Sequence, residues 1–202
     1  EDVLYRGLGV RHVAVGFDIS FGSGRSGSPE IMKAYGAELG FGVSVAPALT
    51  SASGEKISSS QVRAALRDGR PQDAAAVLGR PFAIEGVVRR GRQLGRQLGF
   101  PTANVELDDY VTPKLGIYAT RTRMHDGRVI PGVANIGTNP TVGEVQARLE
   151  VHLFDFDEDI YGEVIETSLI AYLRPEVKFD GLPALIEQMG KDCTEARAIL
   201  GV

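Results

Sequence analysis

The chain has 202 residues, a hydrophobic share of 43% and a formal net charge of −4 at pH 7. This length suits one large or two small domains, and the apolar share is sufficient for a sizeable core. The slightly acidic balance argues against a nucleic-acid-binding protein, and no apolar run is long enough for a membrane span. The single cysteine, Cys193, excludes an internal disulfide framework and indicates a reducing, cytoplasmic setting.

The N-terminal part has the pattern of an α/β domain. Apolar runs at 12–16 and 43–47 predict strands of the kind found in parallel sheets, and Ser28 predicts the cap of a helix over 29–39. Strand, helix and strand make half of a doubly wound, Rossmann-like unit. The chain opens with Glu1 rather than Met in the middle of this pattern, so we expect the first part of the domain to be missing.

Residues 22–27, Gly-Ser-Gly-Arg-Ser-Gly, match the GxGxxG pattern of dinucleotide-binding loops. In a true fingerprint the strand runs straight into the first glycine, and an acidic residue follows the next strand. Here other residues intervene, and no acidic residue is convincingly placed. A flexible loop is therefore favoured over the site of an NAD-dependent oxidoreductase.

The segment 57–63, Ile-Ser-Ser-Ser-Gln-Val-Arg, allows two interpretations. Ser58 and Gln61 fit a capping box, which is a sufficient structural reason for the serines. Alternatively, this helix start binds phosphate and Arg63, one turn further on, clamps it. The residue types alone do not decide between them.

Beyond Pro81 the pattern changes to closely spaced strands. Residues 126–127, Asp-Gly, predict a hairpin turn. Strands without helices between them indicate an antiparallel sheet, and closure into a small barrel would remove its open edges. We therefore predict one domain over 1–79 and a second over 80–202. The predicted strands cover 82–89, 116–124, 128–136, 149–154 and 163–173.

The last segment predicts a helix that Asp180 caps. Its apolar residues recur at helical spacing and form a stripe that we expect to pack on the barrel. Cys193 lies on this stripe, which predicts a buried and inert thiol.

The stretch 91–104, Gly-Arg-Gln-Leu-Gly-Arg-Gln-Leu-Gly-Phe-Pro-Thr-Ala-Asn, concentrates glycine and positive charge. Glycines allow close backbone approach, and N–H groups in such loops form anion-binding nests. Thr102 and Asn104 carry hard oxygen donors of the kind that Mg²⁺ prefers. No P-loop motif is present, so any phosphoryl transfer belongs to another class. A phosphate-binding loop and a solvated hairpin are equally compatible with this stretch alone.

Glu150 lies in a strand whose alternation places Leu149, Val151 and Leu153 on one face. Glu150 and His152 then share the opposite face. A solvent-exposed face is the simpler interpretation of this pair, and a structural role for His152 is favoured over that of a second base.

Five motifs in order give the C-terminal part a specific resemblance to the riboflavin kinase family, over about residues 80–202. They are Leu98–Asn104, Gly132–Thr141, Leu149–His152, Asp159–Gly162 and Leu173–Asp180. The resemblance implies a six-stranded antiparallel Greek-key β barrel with a C-terminal helix. It also implies phosphorylation of riboflavin to FMN with Mg·ATP.

The N-terminal part resembles the nucleotidyltransferase half of bacterial bifunctional FAD synthetases. The resemblance rests on residues 15–22 and on Ile57–Ser60 with Arg63. It implies a remnant of the FMN adenylyltransferase site at Ser59, Ser60 and Arg63. The early HxGH-type signature of that family is absent, so we do not expect this chain alone to make FAD.

The riboflavin kinase resemblance also assigns roles to individual residues. Thr102 and Asn104 would bind Mg²⁺ and the ATP phosphates, Glu150 would be the catalytic base, and Arg174 would border the flavin. The glycine-rich loop would flank the phosphates through Gly91, Gly95, Arg96 and Gly99. Gly-Arg-Gln-Leu occurs twice in this loop, so Arg92 is an alternative to Arg96 as the phosphate contact, although the spacing from Gly99 favours Arg96.

The alternative function is a non-catalytic flavin- or nucleotide-binding module. The sequence predicts small-molecule substrates and leaves the oligomeric state open.

Overall fold

The computed structural model describes residues 2–50, 54, 56–91, 95, 98–140 and 145–202, and only the backbone at 139, 140, 145 and 146. The chain divides into two compact units, Glu1–Ile57 and Ser58–Val202. Within the described residues each unit has its own sheet, with two strands in the first and six in the second.

The first unit contains the predicted strand–helix–strand arrangement. Strand β1 (His12–Gly16) and strand β2 (Gly42–Ala46) pair in parallel, and helix α1 (Pro29–Leu39) connects them. The Ser28 hydroxyl accepts a hydrogen bond from the backbone N–H of Ile31, so the predicted cap of α1 is confirmed.

The Gly-Ser-rich loop before α1 contains one short 3₁₀ turn, Ser23–Arg25. Phe21 and Gly27 pair across its base, and a Cβ atom at Gly27 would lie 2.5 Å from the ring of Phe21. Packing against this ring is therefore a sufficient reason for glycine at position 27.

Two short helices begin the second unit. Helix α2 (Ser59–Arg67) has the predicted capping box, in which Gln61 N–H donates to the Ser58 hydroxyl and Ser58 N–H donates to the Gln61 side chain. Helix α3 (Pro71–Leu78) follows, and buried residues of both helices pack against Phe82 and Val111. The domain boundary predicted at 79–81 stays a prediction.

Six antiparallel strands form the barrel of the second unit. In the sheet they lie in the order β3-β8-β5-β6-β7-β4, in which β5, β6 and β7 are consecutive and β8 returns beside β5. This is the Greek-key arrangement that the resemblance implies. The strands are β3 (Phe82–Val87), β4 (Ala103–Glu106), β5 (Gly116–Arg123), β6 (Val129–Pro140), β7 (Val145–Leu153) and β8 (Val164–Arg174).

The two edges of this sheet meet just after β3. Arg89 and Asn104 form an antiparallel bridge in which Arg89 N–H donates to the Asn104 carbonyl oxygen over 2.8 Å. The Arg89 side chain lies 3.0 Å from the carboxylate of Glu106. These contacts bring β3 and β4 together and nearly close the barrel.

Apolar side chains fill the barrel interior, and the predicted alternation of β7 is confirmed. Leu149, Val151 and Leu153 are buried there, which directs Glu150 and His152 to the outside of the barrel. The fully buried members of this core also include Ile84, Tyr118, Ile136 and Ile165.

Helix α4 (Leu182–Leu200) lies on the outer surface of the barrel, as predicted. Its Ala196 and Leu200 pack against Ala119, Val133 and other residues of the strands. The predicted cap at Asp180 is wrong, because Gly181 occupies the cap position without a side-chain hydrogen bond. Among the described residues, no helix, α4 included, is long and apolar enough to cross a membrane.

Candidate active site

Strand register places polar residues of four strands in one row across the outside of the barrel. Asn104 on β4 pairs with Glu150 on β7, and Glu150 pairs on its other side with Asn135 on β6. The row continues through Ile117 on β5 to Arg174 on β8. Directly opposed residues share one face of a sheet, and neighbouring strands lie about 4.8 Å apart. The row therefore brings residues from distant parts of the sequence within reach of one ligand.

A cavity of about 300 Å³ lies between this row and helix α4. Glu150, Asn135 and Arg174 line its barrel side, while Met189 and Cys193 of α4 line the other. Its remaining wall is mostly apolar and includes Leu98, Phe100, Ile117, Val133, Val177, Phe179 and Leu185. A concave, apolar site with a few convergent polar groups suits a small organic ligand.

A second cavity of about 230 Å³ lies beyond Thr102. Thr102 lines both cavities, and it is followed directly by β4. The second cavity combines the apolar residues Val88, Val151 and Leu153 with an acidic turn over 157–159. At its rim the guanidinium of Arg90 lies 4.8 Å from the ring centre of Tyr161.

Two glycines of the glycine-rich stretch, Gly91 and Gly95, lie close to the two predicted Mg²⁺ ligands. A Cβ atom at Gly91 would lie 2.6 Å from Asn104 Oδ1. One at Gly95 would clash with the Phe100 carbonyl oxygen and lie 3.6 Å from Thr102 Oγ1. Gly99 has a positive φ of 86°, and Phe100 N–H donates to the Gly95 carbonyl oxygen.

The nucleotide-binding roles of these glycines stay predictions, and the structure adds a packing reason for Gly91 and Gly95. The predicted phosphate contact Arg96 and its alternative Arg92 lie outside the described residues.

Asn104 is well enclosed, with 7% of its surface exposed. Its Nδ2 donates a long hydrogen bond of 3.4 Å to the carbonyl oxygen of Thr102, so its amide group points back toward the start of β4. The side chains of Thr102 and Asn104 both carry oxygen atoms that can bind a metal ion. Their role as Mg²⁺ ligands stays a prediction.

His152 is held from three sides. Its Nδ1 lies 2.9 Å from the carbonyl oxygen of Pro101, and since a carbonyl only accepts, Nδ1 must donate. Its ring packs edge-on against Phe100, with centroids 5.5 Å apart, and against Phe154 at 5.9 Å. These contacts fit a structural role better than that of a second base.

Arg174 lines the larger cavity with its guanidinium already engaged. Its Nε donates to Asp192 Oδ1 over 2.8 Å, and its Nη2 donates to Asp192 Oδ2 over 2.6 Å. Gln188 also donates to Asp192, and Arg174 Nη1 donates to the Pro175 carbonyl oxygen. This network fixes the last strand to α4, and a flavin contact by Arg174 stays a prediction.

Asn135 is a polar cavity residue that the sequence analysis did not single out. Its Nδ2 donates to Glu176 over 3.0 Å, while its Oδ1 is buried without a hydrogen-bond partner among the described residues. Its motif, residues 132–141, was part of the resemblance. Only the pairing of β6 with β7 shows that it stands beside Glu150, and the sequence does not reveal that register.

Cys193 lies half-buried in the cavity wall. Burial, together with the nearby Asp192 carboxylate, raises the pKa of its thiol to about 11. The thiol is therefore protonated at neutral pH, as expected of an inert cysteine.

The predicted adenylyltransferase remnant lies at the first turn of α2. Arg63 donates to the Ser59 hydroxyl over 3.1 Å, and both side chains are exposed, as is Ser60. The capping box accounts for Ser58 and Gln61, and phosphate binding by Ser59, Ser60 and Arg63 stays a prediction.

Comparison with known proteins identifies two sequence families along the chain. A family model described as riboflavin kinase (Flavokinase) matches residues 78–200, and one described as FAD synthetase (FAD_syn) matches residues 1–61. The bifunctional riboflavin kinase/FMN adenylyltransferase of Escherichia coli (strain K12) is 42% identical over 202 residues, 100% of this chain. That of Haemophilus influenzae is 38% identical over 198 residues, 98% of this chain. The chain spans 64% of the length of each of these relatives.

A solved structure also shares the fold. It is described as a macrolide-efflux protein from Streptococcus pneumoniae, and it is 33% identical with a TM-score of 0.75. The match covers 93% of this chain and 60% of that one.

The two family matches confirm the resemblance seen in the sequence motifs. The first takes in all six barrel strands and α4, and it covers more than half of the chain. The chain therefore belongs to the riboflavin kinase family, with FAD synthetase sequence in its N-terminal part.

Proposed function

We propose that this chain is a riboflavin kinase. It would transfer the terminal phosphoryl group of Mg·ATP to the end hydroxyl of the ribityl chain and release FMN and ADP. The observation that carries this proposal is the position of Thr102 between two cavities, one of which contains Glu150. An acceptor in one cavity and a nucleotide in the other would meet at Thr102.

The position of Glu150 in the larger cavity indicates which substrate each cavity would bind. A general base must lie within hydrogen-bond reach of the hydroxyl that it deprotonates, so riboflavin belongs in the larger cavity with Glu150. The O–H bond breaks, its proton passes to Glu150, and the oxygen forms the new bond to phosphorus. The bond between that phosphorus and the bridging oxygen of ATP breaks, and ADP leaves with the electron pair. General base catalysis of this kind typically contributes about 10²–10⁴-fold. The smaller cavity then takes the nucleotide.

The donor groups near Thr102 fit Mg²⁺. The Thr102 hydroxyl and the Asn104 amide are hard oxygen donors, and Mg²⁺ commonly takes one or two protein ligands alongside waters and phosphate oxygens. In the same row Asn135 Oδ1 is a buried oxygen that finds no hydrogen-bond partner in the described part of the chain. The described residues contain no cluster of three or more His, Cys, Asp or Glu suited to a metal. We assign Thr102 and Asn104 as ligands of an ion that would neutralise phosphate charge.

The remaining roles follow from position. Gly91, Gly95 and Gly99 would let the loop backbone approach the phosphates, and Arg96 would add positive charge there. Arg174, fixed by Asp192, would border the flavin ring. The reaction asks the protein mainly for such positioning and charge neutralisation. The predicted cytoplasmic setting stays a prediction.

Product analysis tests the proposal directly. The 202-residue chain is incubated with riboflavin and Mg·ATP, and the flavins are separated by chromatography. FMN as the product supports the kinase. Riboflavin binding without any FMN would instead favour the non-catalytic module, and additional FAD would show that the FAD synthetase segment is active.

A further inference from the structure

His152 connects the walls of the two cavities. It lines the larger cavity beside Glu150, while its hydrogen-bond partner Pro101 lines the smaller one. Thr102, the residue that lines both, follows Pro101 directly. The bond therefore fixes the backbone next to Thr102 relative to the strand that carries Glu150.

The geometry of this bond is well defined by its surroundings. Pro101 has no N–H group, so its carbonyl is its sole backbone hydrogen-bonding group, and His152 Nδ1 donates to it over 2.9 Å. The ring is confined between Phe100 and Phe154 in two edge-to-face contacts. Phe154 is itself buried, and the guanidinium of Arg197 lies 4.3 Å from its ring centre.

The strand beneath the ring is fixed as well. His152 pairs with Val133 on β6, and a Cβ atom at Gly132 would lie 2.5 Å from the His152 carbonyl oxygen. Glycine at position 132 thus allows the two backbones to approach closely. A rigid strand and a confined ring together give Pro101 a defined position.

We propose that His152 is a positioning residue for phosphoryl transfer, which acts through Pro101 to set the distance between Thr102 and Glu150. The proposal rests on the proposed function, because it needs donor phosphates at Thr102 and an acceptor hydroxyl at Glu150. In this role His152 keeps the phosphate-binding residue Thr102 at a fixed distance from Glu150, where the acceptor hydroxyl binds. Its own ring takes no part in proton transfer.

Two substitutions of His152 distinguish the effect of its hydrogen-bond donor from the effect of its aromatic ring. His152→Phe keeps an aromatic ring between Phe100 and Phe154 but has no donor for Pro101. His152→Asn loses the ring but carries an amide N–H at about the place of Nδ1. We expect His152→Phe to raise the KM for Mg·ATP about 10-fold, with the KM for riboflavin little changed, since one hydrogen bond is typically worth about that factor. His152→Asn should restore most of the loss.

The matched control is His125→Phe. His125 lies in the β5–β6 hairpin and contacts Glu163, and neither of these two residues lines either cavity. Its substitution should leave both KM values as in the unmodified chain. If His152→Phe does not fold, His152→Gln is used in its place. The longer side chain of glutamine moves the amide about one bond length away from the position of Nδ1, so the hydrogen bond to Pro101 should again be lost.

A double-mutant cycle tests the route through Thr102. If His152 acts through Thr102, the effects of His152→Phe and Thr102→Ala on Mg·ATP binding are less than additive. Binding is measured by calorimetry without riboflavin, so this readout needs no turnover, while FMN formation by the unmodified chain tests the proposed function separately. Equal losses for the Phe and Asn variants, unchanged Mg·ATP binding in His152→Phe, or strict additivity would each overturn the proposal.

Discussion

Asn104 and Glu150 are direct partners in the pairing of β4 with β7, so a predicted Mg²⁺ ligand and the predicted base stand side by side on one face of the sheet. They are 46 positions apart in the sequence. Their proximity comes from the pairing of these two strands within the sheet, and it gives the proposed reaction a location that can be tested residue by residue.

Glu150→Gln should lower turnover by about 10²-fold or more while riboflavin and Mg·ATP still bind, because the amide keeps the shape of the side chain but cannot accept the proton. Steady-state kinetics and riboflavin fluorescence titration measure the two effects. The matched control is Glu85→Gln, an exposed glutamate on β3 outside both cavities, which should behave as the unmodified chain. Unchanged turnover in Glu150→Gln would remove Glu150 from the mechanism.

Thr102→Ala should weaken Mg·ATP binding and shift the Mg²⁺ dependence of the reaction to higher concentration. The loss arises because the hydroxyl between the two cavities is removed, whereas Thr102→Ser keeps that hydroxyl and should retain most of the affinity. Magnesium titrations at fixed ATP compare the two. Identical curves for Ala and Ser would show that the hydroxyl is not a ligand.

Local signals in the sequence predicted most of the helices and strands. Ser28 and Ser58 cap their helices as expected, and the alternation around Glu150 correctly separates core from surface. Such features depend on neighbouring residues only. The cap at Asp180 failed because glycine, at φ 125°, adopts the bend before Leu182 that Asp180 was expected to provide.

The site itself depends on pairing between distant strands. Strand β4 was missed because its four residues follow the glycine-rich loop and pair with β7 far along the chain. Asn135 was missed for the same reason, since a shift of one residue in register would turn it to the other face. The motifs identified the family, but the row from Asn104 to Arg174 required the fold.

Gly91→Ala should impair Mg·ATP use without unfolding the barrel. A Cβ atom there would lie 2.6 Å from Asn104 Oδ1, so the amide of a proposed Mg²⁺ ligand must move. A displacement of about 1 Å in a reacting site can cost about 10²-fold in rate. The control is Gly190→Ala in α4, where a Cβ atom meets no neighbour and alanine favours the helix. Equal kinetics for the two variants would contradict the assigned contact.

Asp192→Ala should destabilise the protein by about 3–5 kcal/mol, because it leaves the guanidinium of Arg174 without its carboxylate in a largely buried place. The side chains of Asp192 and Arg174 are only 5% and 20% exposed. Urea unfolding measures the free energy difference. Glu187→Ala, which removes an exposed ion pair with Lys191 on the same helix, should cost less than about 1 kcal/mol. Similar losses for both would mean that the buried pair does not hold α4 to the barrel.

The thiol of Cys193 should titrate near pH 11, because burial raises its pKa above the ordinary 9.0. The folded chain holds this proton more tightly than the unfolded chain does. The associated stabilisation is therefore complete below about pH 9 and is lost as the pH rises through about 11. Thiolate absorbance and the rate of alkylation, with Cys193→Ser as the blank, measure the titration.

Alkylation should be slow at pH 8 and slower still with riboflavin present, since Cys193 lines the proposed flavin cavity. A midpoint near pH 8.5 would contradict the enclosed position of the thiol, and alkylation that is indifferent to riboflavin would place the flavin elsewhere.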